Sequence, residues 1–301
     1  MPLPQLEQYY REKRKHDFEN GKKIKGYTFR KILHPFLWLL VKIDRLITGE
    51  KIITLKKPKI KTHKPIIFAC THIGGNDAAR ALEFIKRHCY LFLGDPKAMY
   101  KNFEGLLVYL SGCVIIDTLN KTDRAVGFNR AIELLKAGQN LLIFPEGEWN
   151  ITENELCMKL YPGVIKMALE TGAIVVPMAV EQYDNTFVFN MGDIIDYNTA
   201  TYKDYSADKL KADLRDRLAT LKYQIIEKHP ENYGEITKAF RESFAQNIVS
   251  RCEYEFSVQE CKSKFFRDKN IVFTAEAFAH LKNLIPNKNN LFLFNKRYTI
   301  N

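Results

Sequence analysis

The run Pro65-Ile66-Ile67-Phe68-Ala69-Cys70-Thr71-His72-Ile73-Gly74-Gly75-Asn76-Asp77 decides how this chain is read. A short apolar stretch rich in strand formers meets a loop with two glycines, and a helical pattern over Ala78–His88 follows at once. The same alternation runs onward. Strand signals recur at Tyr90–Leu93, Cys113–Ile116, Leu141–Phe144, Ile174–Val180 and Phe187–Phe189. Helical patterns lie at 102–110, Asp123–Lys136, Val164–Glu170 and 206–228, with Gly138 and Gly172 just past two of them as C-terminal caps. This predicts an α/β layered domain with a mainly parallel sheet flanked by helices, its site in loops at strand ends.

His72 and Asp77 stand five residues apart, which turns a continuous helix by about 140° and keeps the two side chains off one face. They meet if His72 sits in the loop and Asp77 opens the next helix, a path that Gly74-Gly75 permits. Asp77 would then accept the imidazole Nδ1–H, fixing the tautomer that lets Nε2 take a proton from a hydroxyl. The spacing alone also fits an Asn/Asp cap beside an incidental histidine.

Three further segments carry weight together. Phe144-Pro145-Glu146-Gly147 ends a strand; Tyr161-Pro162-Gly163-Val164-Ile165-Lys166 opens a helix leading to Ile174-Val175-Val176-Pro177; and Gly112-Cys113-Val114-Ile115-Ile116-Asp117 ends in an acid. With His72 and Asp77, these resemble, in order, the motifs of the glycerol-3-phosphate and lysophosphatidic acid acyltransferases over residues 65–180. The resemblance implies His72 as general base, Asp77 as its orienting partner, and Glu146 and Gly147 at the acceptor. It also implies direct attack on the thioester of acyl-CoA or an acyl-carrier protein, with no cofactor and no metal.

Two departures bear on the acceptor. Thr118 stands where the family carries an arginine after the second-motif acid, and Trp149 where another follows Phe-Pro-Glu-Gly. Those arginines are the family's phosphate ligands. Their loss points either to a replacement cation, with Lys97, Lys101 and Arg80 as candidates, or to an acceptor without a phosphomonoester, for which Trp149 could stack on a sugar ring. A non-catalytic membrane-binding relative is the alternative outside enzymes.

The formal net charge of +11 is confined to one end: residues 1–66 hold 17 Lys/Arg against 6 Asp/Glu, and residues 67–301 hold 29 of each. Within that basic segment Phe36, Leu39, Leu40, Ile43 and Ile47 recur at helical spacing beside Trp38, and Pro35 suits a helix start. An apolar stripe bracketed by lysines fits an anionic membrane surface, with Phe36, Trp38 and Leu40 among the acyl chains. Nucleic acid is disfavoured, since no recognition motif accompanies the charge. No secretory signal or spanning segment is expected, and the six scattered cysteines read as reduced thiols. The organisation expected is a basic arm with an interfacial helix over 1–64, a catalytic domain over 65–230 and a mostly helical C-terminal extension over 231–301. Its expected place is peripheral, on the cytoplasmic face of a membrane.

Overall fold

The computed structural model describes residues 3–94, 103–152 and 156–228, with 246, 249–250 and 257–263 beyond them. Seven strands form one sheet: β1 (Lys51–Lys56), β2 (Ile66–Cys70), β3 (Tyr90–Gly94), β4 (Cys113–Ile116), β5 (Leu141–Ile143), β6 (Ile174–Tyr183) and β7 (Thr186–Met191). Their spatial order is β1-β7-β6-β2-β5-β3-β4. Every neighbouring pair is parallel except the β6–β7 hairpin. The helices are α1 (Leu3–Glu19), α2 (Tyr27–Ile47), α3 (Asp77–Ile85), α4 (Phe103–Ser111), α5 (Lys121–Lys136), α6 (Gly163–Thr171) and α7 (Ala207–Lys228).

Alternation along the strands separates two cores. Ile67 and Ala69 of β2 face α5, α6 and α7 with Leu141, Ile143 and Val175. Ile66, Phe68 and Cys70 face α3 with Leu142, Val176 and Phe189. Because β2 is buried throughout, it reads as a continuous apolar run, as a central parallel strand should.

Three expectations are corrected. The sheet begins at Lys51, inside the segment assigned to a separate arm: β1 is an edge strand on β7 whose lysines guard the open edge. Pro35 lies inside α2, whose start is set by Gly26, in the left-handed region and nine residues earlier. The basic arm is docked on the domain. Arg14 grips Asp123 at the start of α5 with two bonds of 2.7 and 3.0 Å, and Arg11 lies 3.3 Å from Asp117. Part of the N-terminal charge is therefore spent on the chain's own carboxylates. Of the C-terminal extension the structure describes little beyond the short helix Val258–Ser263, which packs with Val249 on Trp149 and Ile151. The helix expected at 235–249 lies almost wholly outside the described residues.

Candidate active site

Adjacent parallel strands deliver their following loops to the same end of the sheet. The loop after β2 carries His72 and the loop after β5 carries Phe144 to Gly147, so the β2–β5 pairing brings these two segments together. Gly74 and Gly75 both take positive φ (89° and 60°), and the chain bends back so that Asp77, first residue of α3, reaches the histidine. Asp77 Oδ2 lies 2.8 Å from His72 Nδ1 and accepts the backbone N–H of Ile73 at 2.8 Å and of Gly74 at 3.1 Å. Three donors on one buried oxygen hold the carboxylate, and the carboxylate holds the ring.

The imidazole is fixed from two further sides. It stacks on Phe144 with centroids 4.1 Å apart, and Trp149 meets it at a near-perpendicular angle with centroids 6.3 Å apart. Nε2 makes no hydrogen bond to a described residue, and His72 lines a cavity of about 610 Å³. That cavity runs between α2, α3, α4 and the first turns of α5 and α6, with Leu37, Leu82, Leu93, Val108 and Phe128 among its apolar walls. An imidazole at the wall of an apolar cavity could serve as base toward a lipid hydroxyl.

Electrostatics set the basicity of His72. Burial pulls the His72 pKa down, but the charge and hydrogen bond of Asp77, with Glu148 and Glu146 behind them, leave it above the ordinary histidine value. A general base works unprotonated, so activity should rise with pH along a limb above 6.5. Asp77→Asn should move that limb toward lower pH while cutting the rate, which the pH dependence of kcat/KM would show; an unmoved limb would detach Asp77 from the base.

Glu146 is placed differently from its expected role. Its side chain is wholly buried, Oε1 accepting the His72 N–H at 2.9 Å and Oε2 the Met158 N–H at 2.7 Å. Burial pushes its pKa up to about 7 despite those donors. It brackets the His72 loop to the segment after β5, helped by Asn150 N–H donating to the His72 carbonyl at 2.9 Å, and does not line the cavity. Gly147 does line it: φ is +74°, and a Cβ there would fall 2.4 Å from the Tyr161 ring.

Thr118 and Trp149 also reach the cavity wall. Trp149 is buried and packs under the C-terminal helix, which leaves little ring to stack on a sugar. Lys97 and Lys101 lie outside the described residues. Arg80 cannot serve as a replacement cation: it is fully buried and bound to Glu50, Asp44 and the Val41 carbonyl. Arg124, which no motif marks, also stands in the cavity beside Thr118.

The acyltransferase family model matches residues 51–181, a span that opens on β1 and closes within β6. Over that span the chain resembles the acyltransferase family. Over 153 residues the chain is 26% identical to a 1-acyl-sn-glycerol-3-phosphate acyltransferase of Borreliella burgdorferi, covering 50% of this chain and 59% of that protein. The chain thus spans about three fifths of that relative's length. The crystal structure of the 1-acyl-sn-glycerophosphate (LPA) acyltransferase PlsC from Thermotoga maritima superposes with a TM-score of 0.53 at 15% identity, covering 72% of this chain and 88% of that one. At that identity the likeness is one of fold. The match begins at Lys51, where the basic segment contributes β1 to the sheet.

Proposed function

We propose that this acyltransferase moves a fatty acyl group from a thioester donor, acyl-CoA or acyl-carrier protein, to the hydroxyl of a lyso-glycerolipid such as 1-acylglycerol-3-phosphate. The observation that carries this reading is the His72–Asp77 pair, 2.8 Å apart, at the wall of an apolar cavity. His72 Nε2 takes the proton as the acceptor oxygen attacks the thioester carbonyl. Asp77 stabilises the imidazolium that forms. When the tetrahedral adduct collapses, the C–S bond breaks and the imidazolium returns the proton to the departing thiolate. Incubation with labelled donors and lyso-lipids of different headgroup, with the products identified by mass, tests it; products from no acceptor would end the reading.

The site is proposed to work at a membrane surface, in phospholipid biosynthesis. Among the described residues no helix is long and apolar enough to cross a bilayer. Instead α2 has two apolar faces. Leu37 and Val41 line the cavity, while Phe29, Ile32, Phe36, Leu39, Ile43 and Leu46 recur at spacings of three and four and are exposed to solvent. Leu106 and Tyr109 extend that outer face onto α4, which packs beside α2. Lys23, Lys25 and Lys31 flank it without a carboxylate partner among the described residues. Of the side chains expected in lipid, Phe36 is exposed; Trp38 turns inward to donate to the Glu83 carbonyl at 3.3 Å, and Leu40 is half-buried. Partly salt-resistant binding to anionic vesicles is expected, because apolar burial persists where charge attraction is screened. Ile32→Asp with Phe36→Asp should abolish co-sedimentation; equal pelleting of variant and parent would place the membrane face elsewhere.

A further inference from the structure

Arginine is absent from both places where the resemblance puts phosphate ligands, yet the cavity contains cations. Apart from His72, the basic side chains in its described lining are Arg124, in the first turn of α5, and Lys166, in the first turn of α6. These helices pack against each other, so both residues stand on one side of the cavity. Arg124 Nη1 donates to the carbonyl of Thr118, so the guanidinium rests on the residue that takes the missing arginine's place. No carboxylate among the described residues pairs with Arg124 or Lys166, and Nε and Nη2 of Arg124 keep their donors. Two features prepare the neighbourhood further. The N-terminus of α6 starts on Pro162 with no side-chain cap, and Gly163 and Val164 line the cavity there. The carboxylate of Glu148, which with Asp77 is the only acid in the described lining, is buried and accepts the Trp149 N–H at 2.9 Å.

From this arrangement we infer that Arg124 and Lys166 together recognise a phosphate monoester on the acceptor lipid, a role moved from positions 118 and 149 to the first turns of α5 and α6. A guanidinium held at one nitrogen presents its remaining edge as a preset fork, and the lysine adds a mobile charge at the rim. The inference rests on the acyl-transfer reading for its substrate, and binding can be measured without turnover.

The experiment compares full-length protein with Arg124→Gln, Lys166→Ala and the double variant. Glutamine can still donate to the Thr118 carbonyl, and Lys166 is exposed, so at least one variant keeps the fold. Quenching of tryptophan fluorescence by lysophosphatidate and by the matching monoacylglycerol gives two affinities. The parent should prefer the phosphate-bearing lipid, and the double variant should lose that preference by about 10-fold or more, as expected for lost charge-assisted bonds. The acceptor KM ratio should fall in parallel, with the donor KM unmoved. A parent that binds both lipids alike, or variants that weaken both equally, would overturn the inference. So would a change confined to the KM of acyl-CoA, since the pair would then read the donor's phosphates. If no acceptor is turned over while the phosphate preference appears in the parent and disappears in the variants, the acyl-transfer reading fails and this recognition stands.

Discussion

Replacing His72 with alanine is expected to slow acyl transfer by about 10²–10⁴-fold, the usual cost of losing a positioned general base. The geometry makes the change selective. Nε2 bonds to no described residue, and the backbone contacts of residue 72, N–H to Glu146 and carbonyl to Asn150, do not depend on the side chain. The fold should therefore survive, apart from the lost stacking on Phe144. Circular dichroism and melting would confirm folding, and steady-state rates would give the loss. A His72→Ala protein that keeps a third of the parent's turnover would remove the histidine from the chemistry.

Arg80→Ala should have the largest effect on stability, about 3–5 kcal/mol, because it strands carboxylates that a buried guanidinium now neutralises. Arg80 is fully buried, binds Glu50 and Asp44, and donates to the Val41 carbonyl at 3.0 Å. Glu83 keeps Arg45 at 2.9 Å, but among the described residues the Glu50 side chain retains only the Asn76 amide. The same residue joins α3, which begins at Asp77, to α2, which walls the cavity and carries the exposed apolar stripe. Loss of Arg80 should thus lower the denaturation midpoint and weaken vesicle binding together. A drop of less than about 1 kcal/mol, the range of a surface pair, would show that this cluster is better solvated than its burial implies.

The parallel sheet and the His72–Asp77 pair were legible in the residues because both follow local rules. Apolar runs of strand length and glycines beside a turn are visible in one window of sequence. What escaped reading depends on distance along the chain. The docking of the N-terminal arm rests on Arg14 meeting Asp123, 109 residues away, and no pattern within the arm distinguishes that arginine from its solvated neighbours. The strand Lys51–Lys56 was hidden by its lysines, which belong on an edge and otherwise read as part of a charge run. Glu146 was recognised as part of a motif, but whether a carboxylate faces substrate or its own backbone is decided by packing. Arg124 gave no signal: it follows a helix cap at Asn120 like any first-turn residue, and only the folding of α5 beside β4 brings it to the cavity.

Direct transfer that needs His72 is the central expectation. Full-length protein and His72→Ala should be given a labelled acyl thioester and lysophosphatidate on anionic vesicles, with the lipid product weighed and timed. A diacyl product is expected from the parent, formed at least about 100-fold more slowly by the variant. No diacyl product with either donor type, or equal rates from both proteins, would contradict it.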